Sequence, residues 1–334
     1  MKTTSKEVIF QGVPVISMTA GGYEALIAPT VGSNIIKLQQ HTKKIDFFRY
    51  DKKHTMRKLI ANPEIYGFPT LYLPNRLNRG TLRTSDAVYH FPINEPFYQN
   101  HLHGFLHKRK HTVIETSVKE NRAIAKTRYI YDENDAFFPY FPLSFQADFT
   151  FQLDEQGMHY AFTLTNLSNR QMPFGVCNHT AFKAPFAKGG SQRTIRIQLP
   201  VVKRCMFNER ELPTGELRDL LPSDRQYLTS DKHAVKAPID NEMYSIDTLT
   251  VDGKPFHGAI MTDLATNSRI FYEVDENFSF FVVWNDHGRK GYFCPEPMTW
   301  MVDAPNLDLP EEVTGYRELA PGESKTVTEH IYTK

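Results

Sequence analysis

The chain has 334 residues, with 39 Lys and Arg against 38 Asp and Glu, a formal net charge of +1. So even a balance excludes a protein built to grip nucleic acid or an anionic membrane surface. Apolar residues at 40% and charged residues at 23% are ordinary for a folded globular chain, and the length is enough for a sizeable core.

Aromatic residues reach 13%, with 24 Phe and 16 Tyr, which suits large packed sheet faces. The three cysteines, Cys177, Cys205 and Cys294, form no CxxC and leave one unmatched. That pattern fits reduced thiols in a cytoplasmic protein. The first seven residues are polar and lack the apolar run of a signal peptide. The longest apolar run, 278–284, is far too short to span a bilayer.

In chain order, 23–28 and 34–38 read as strands joined by turn-formers at 29–32. A short helix is expected over 51–60. Residues 65–80 crowd turn-formers between aromatics and two arginines, Arg76 and Arg79, leaving little room for a ladder. Residues 92–100 are similar and lead into His101, His103 and His107. From 113 onward the pattern is β. Residues 145–153 and 158–165 alternate apolar and polar positions, and 154–157 joins them as a Gly-containing turn, which predicts a hairpin. Further strands are expected at 194–199, 256–261, 269–274, 278–284, near Cys294, and at 326–332. There is no long amphipathic helix, internal repeat or composition shift. The reading is all-β: one large antiparallel domain over 1–334.

Several groups carry potential chemistry. His101 and His103 lie two apart in an extended stretch and are expected to share a face, where they form a possible metal half-site. The more economical reading of His101 is a hydrogen-bonded loop histidine. Gly104 permits close backbone approach or a turn that aims His103 into a cleft. Asn178, His179 and Thr180 form a polar triplet between Val176 and Phe182, either a satisfied core network or a ligand site. Glu296 lies between Pro295 and Pro297. Proline is excluded from the middle of a ladder, so Glu296 is expected where a strand leaves its sheet.

Taken together, Arg76 in Pro-Asn-Arg-Leu-Asn-Arg-Gly80, His103 in Leu-His-Gly, His179 in Asn-His-Thr-Ala-Phe, and Glu296 in Glu-Pro-Met-Thr with Asp303-Ala-Pro-Asn306 resemble the aldose 1-epimerase (galactose mutarotase) family. The resemblance runs from about Gly22 to the C-terminus. It implies a large β-supersandwich fold and interconversion of the α and β anomers of a free hexose. It also implies Glu296 as base, His179 as acid on the opposite side of the sugar ring, and His103 near the ring oxygen. Arg76 would donate to a sugar hydroxyl, and Asn75 and Asn178 would line the substrate. Neither a metal nor an organic cofactor is implied, the partner is a small sugar, and a monomer or weak homodimer is expected.

Two departures stand out. The family's sugar-binding aspartate is matched here by Asp240, with Asp247 competing. Where relatives carry a tryptophan after the His-Gly motif, this chain has Lys108-Arg-Lys-His111. Arg79 or that basic run raises a hexose 6-phosphate as an alternative substrate. A sugar-binding or regulatory protein without turnover is the third reading.

Overall fold

The structure is a computed structural model that describes residues 2–49, 53, 55–288 and 290–334. Period-two alternation is converted into antiparallel sheets, three of them large. Five strands, Thr4–Phe10, Val13–Ala20, Tyr23–Ala28, Asn34–Gln40 and Ile45–Asp46, form an N-terminal meander in sequence order. Nine strands make the second sheet, with the expected hairpin, Phe145–Asp154 and Gly157–Asn166, near its centre. Its register runs from Phe145 opposite Asn166 to Asp154 opposite Gly157. Phe145, Ala147, Phe149, Phe151 and Leu153 are buried and the residues between them half-buried, as a one-sided strand requires.

The final strand, Ser324–Thr333, pairs with the hairpin on one side and with Ser268–Val274 on the other. It closes the middle of this sheet with residues from the end of the chain. The helix expected over 51–60 forms at Thr55–Ala61, and positions 51, 52 and 54 lie outside the described residues. Residues 65–80 hold two short strands, Thr70–Leu71 and Arg76–Asn78. One apolar core, running in sequence from Ile16 to Ile331, includes residues of all three large sheets. None of the described helices is long and apolar enough to cross a membrane.

The third large sheet positions the chemistry. Its order is Pro213–Asp219, Val201–Phe207, Glu242–Ile246, Phe280–Trp284, Tyr292–Met298, Cys177–Asn178 and Thr70–Leu71, and Phe182–Lys183 also pairs with Tyr292–Met298. Glu296 is therefore not at a strand end, as its prolines suggested. It lies inside Tyr292–Met298, with Val282 directly opposite.

The reason is local. Pro295 and Pro297 have the same parity, so their backbone edges face the same way, away from Phe280–Trp284 if Glu296 bonds to it. On that far side the ladder is split. Phe182–Lys183 pairs with Phe293 and Tyr292, and Cys177 pairs with Met298. Between those contacts the partner chain has no N–H to meet at either proline, and it departs from the ladder. The Thr180 hydroxyl donates to the Pro295 carbonyl at 2.5 Å, which confirms the edge that Pro295 presents. His179 sits in this departure, held beside Glu296.

Candidate active site

Glu296 and His179 meet directly. His179 Nε2 and Glu296 Oε1 are 3.1 Å apart, and both side chains are buried. The His103 ring packs edge-on against His179 with centroids 5.2 Å apart. The split ladder explains His179, and a turn explains His103. His103 has φ +68° and Gly104 φ +57°. A Cβ on Gly104 would come within 2.2 Å of the Tyr72 carbonyl oxygen, so only glycine fits. The His103 N–H donates to the Asn75 carbonyl at 2.7 Å, and the Asn75 side-chain oxygen accepts from the Arg76 N–H at 2.9 Å. Asn75 itself has φ +53°. Three residues in the left-handed region, Asn75, His103 and Gly104, thus fix the backbone that carries Arg76 and His103.

This turn undoes the expected pairing of His101 with His103. His101 remains in the short strand Asn100–Leu102 and its Nδ1 lies 2.8 Å from the Pro92 carbonyl, with Phe91 against its ring. Positive φ at His103 then breaks the strand. His101 is a core histidine, and the two do not form a shared metal half-site.

Arg76 is half-buried beside a partner that the sequence did not reveal. Its Nε lies 2.9 and 3.1 Å from the two Glu95 oxygens, and its Nη2 is 2.8 Å from Oε1. Among the described residues the second terminal nitrogen makes no such bond. The guanidinium also lies over the Tyr98 ring at 5.4 Å. Its charge acts on Glu296 and on His103. Trp284, half-buried and 5.9 Å from the His179 ring, supplies an aromatic wall. Glu95 was hidden because it belongs to a loop, and only the pairing of Asn100–Leu102 with Arg76–Asn78 brings it near. Trp284 ends an apolar strand and is directly opposite Cys294, two residues before Glu296. A hairpin register would have found it.

Burial controls protonation here. It pushes the Glu296 carboxyl well above the usual carboxylate range, with the Arg76 charge drawing it partway back. It lowers the His179 imidazole to about 4. It also lowers His103 well below the ordinary histidine value, with His179 and His107 adding to the effect. The low-dielectric pocket disfavours charge on both partners, so Glu296 and His179 are drawn towards a neutral acid and a neutral imidazole sharing one proton.

The remaining sequence candidates separate. Asn178 is fully buried and its amide donates to Glu329, which is also bound by the Tyr272 hydroxyl. It braces the strand Cys177–Asn178, which leads directly into His179. Asp240 is exposed, next to Ile239, whose N–H donates to Asn285 immediately after Trp284. Asp247 instead lines a surface depression of about 740 Å³ together with residues of the nine-stranded sheet such as His159 and Glu273, and its lining includes neither Glu296 nor His179. Asp303, from the Asp-Ala-Pro-Asn motif, accepts from the Asn78 N–H at 2.9 Å and from the Asn306 amide at 2.5 Å. It anchors the strand of Arg76. Cys177, Cys205 and Cys294 are free and buried.

An acid and a base at hydrogen-bond distance, a second histidine, a tethered arginine and an indole wall are the parts needed to move protons on a small polar ring. The family model of aldose 1-epimerase matches residues 14–332. A solved galactose mutarotase-like protein from Clostridium acetobutylicum is 32% identical, with a TM-score of 0.97 over 100% of this chain and 99% of that one. The galactose 1-epimerase of Lactobacillus acidophilus shares the fold at 14% identity, with a TM-score of 0.74 over 100% of this chain and 99% of its own. A galactose mutarotase-like protein of Lactobacillus casei does so at 15% identity and a TM-score of 0.69, over 96% of this chain and 100% of its own. The chain belongs to the aldose 1-epimerase family and is an isomerase of the mutarotase type.

Proposed function

We propose that the protein interconverts the α and β anomers of a free hexose, with Glu296 as general base and His179 as general acid. The observation that carries this is the 3.1 Å contact between them. The anomeric hydroxyl oxygen and the ring oxygen are both bonded to C1, so an adjacent base and acid can address the two from one side. Glu296 takes the anomeric hydroxyl proton, C1 becomes a carbonyl as its bond to the ring oxygen breaks, and His179 delivers a proton to that oxygen. The open-chain aldose rotates about C1–C2. Closure runs the same transfers backwards and gives either anomer.

The cycle needs one proton in the pair. It sits on His179 before opening and on Glu296 after it. The second arrangement is the neutral one that burial favours, so the buried environment suits the open-chain complex. Closure by the reverse transfers restores the starting arrangement, so the pair ends each turnover with the same single proton.

His103, neutral and half-buried, hydrogen-bonds near the ring oxygen. The terminal nitrogen of Arg76 that Glu95 does not engage donates to a sugar hydroxyl, and the exposed Asp240 accepts from another. Asn75 and Asn178 act on the substrate through the segments they brace. No step calls for a cofactor.

A hexose 6-phosphate is the less favoured substrate. Arg109, in the middle of the basic run, is held by Asp135 at 2.5 and 2.7 Å, so one of the cations offered for a phosphate is already engaged. Exchange NMR on glucose, galactose and their 6-phosphates separates the readings. Faster α–β exchange for a free hexose than for its phosphate is expected. Binding of a hexose with no acceleration of exchange would instead identify a carbohydrate-binding protein.

A further inference from the structure

Cys294 has no part in proton transfer, yet it points from the same strand face as Glu296, two residues earlier. One ligand atom from each of His179, Cys294 and Glu296 lies within 4.8 Å of the other two, and all three residues are buried. We propose that this triad is a binding site for a thiophilic divalent cation such as Zn²⁺, and that the ion competes with sugar for the site.

The donor set selects the ion. One imidazole nitrogen, one thiolate and one carboxylate oxygen match the borderline-soft preference of Zn²⁺ and its neighbours. Mg²⁺ and Ca²⁺ prefer oxygen ligands, whereas two of the three donors here are an imidazole nitrogen and a sulfur. A thiolate and a carboxylate together carry two negative charges, so the loaded site is neutral. That matters in a buried setting, where residual charge is costly.

Geometry agrees. Tetrahedral bonds of about 2.0–2.3 Å place ligand atoms roughly 3.3–3.8 Å apart. The 3.1 Å His179–Glu296 contact and the 4.8 Å limit on the whole triad bracket these spacings. A second feature supports the imidazole as a ligand. His179 Nδ1 is buried and has no hydrogen-bond partner among the described residues. The ring is therefore not locked in one tautomer, and Nδ1 can hold the proton while Nε2 binds metal. Coordination releases the Cys294 thiol proton and the proton shared by the other two. Three protein ligands leave a fourth position for water. A metal there ties up both acid and base.

The test uses Co²⁺ and Zn²⁺ on the full chain. Co²⁺ is expected to give a near-ultraviolet thiolate charge-transfer band that Zn²⁺ displaces, and Cys294→Ala and Cys294→Ser should both lose it. Zn²⁺ affinity should fall by about tenfold or more in either variant, since even outer partners of a metal site are worth that much. Absence of the band in the wild type, or equal Zn²⁺ affinity in wild type and both variants, overturns the proposal. The competition with sugar rests on the functional reading above. Zn²⁺ should slow anomer exchange, a chelator should restore it, and Cys294→Ser should exchange normally while needing about tenfold more Zn²⁺ for the same inhibition. A Cys294-dependent band in a protein that never accelerates exchange would uphold the metal site and overturn the mutarotase assignment.

Discussion

Glu296 Oε1 and His179 Nε2 lie 3.1 Å apart, so the proposed base and acid touch before any substrate arrives. The sequence reading placed them on opposite flanks of a pyranose. Direct contact changes the kinetic expectation, because two groups sharing one proton titrate as a pair.

Activity should follow that pair. The working form holds one proton. A second is added as pH falls through the His179 value of about 4, well below the ordinary histidine range. The one proton is lost as pH rises through the raised Glu296 value. The acid limb of kcat/KM should therefore lie below pH 5, with an alkaline limb set by the pair. A profile measured from pH 4 to 9 checks this, and an acid limb centred near 6.5 would point to an isolated, solvated histidine.

Arg76 depends on Glu95. Glu95→Gln removes the charge from a bidentate contact and frees the guanidinium to swing towards Tyr98. If Arg76 binds sugar, KM should rise on the order of tenfold, equivalent to about 1.4 kcal/mol, with kcat little changed. Steady-state kinetics on Glu95→Gln beside Arg76→Lys would show whether the two act on the same parameter.

Stability should fall in mild acid through a histidine remote from the site. His111 is buried, its Nδ1 lies 2.8 Å from the Ser33 hydroxyl, and burial lowers it to about 3. A depressed histidine contributes stability that is fully present above its ordinary value of 6.5 and is lost as pH falls through its folded value. Its share of the loss is about 1.4 kcal/mol per pH unit between those limits. Urea unfolding at pH 7 and pH 5 should show a steep decline for wild type and a shallower one for His111→Gln. Equal slopes would mean that His111 is not held neutral.

Much of the fold was legible because alternation is a local signal. The hairpin Phe145–Asp154 and Gly157–Asn166 formed within a residue of its expected ends. The final strand was equally clear, although its two partners were not, since pairing depends on residues far away in sequence. The prolines beside Glu296 misled for a physical reason. They forbid a ladder on one edge only, and the chain uses that edge for the bow containing His179. His101 and His103 misled in a similar way, because alternation assumes extended backbone and His103 is left-handed. Glu95, Trp284 and the triad completed by Cys294 arise from register alone, which composition and spacing do not encode.

The central claim is that the touching pair turns sugars over. Relaxation of a freshly dissolved α-hexose, followed by polarimetry, tests it in wild type, Glu296→Gln and His179→Asn, each checked for folding by circular dichroism. Each substitution should slow the catalysed rate by about 10²-fold or more while leaving the fold intact. Wild-type relaxation in either folded variant would contradict the account.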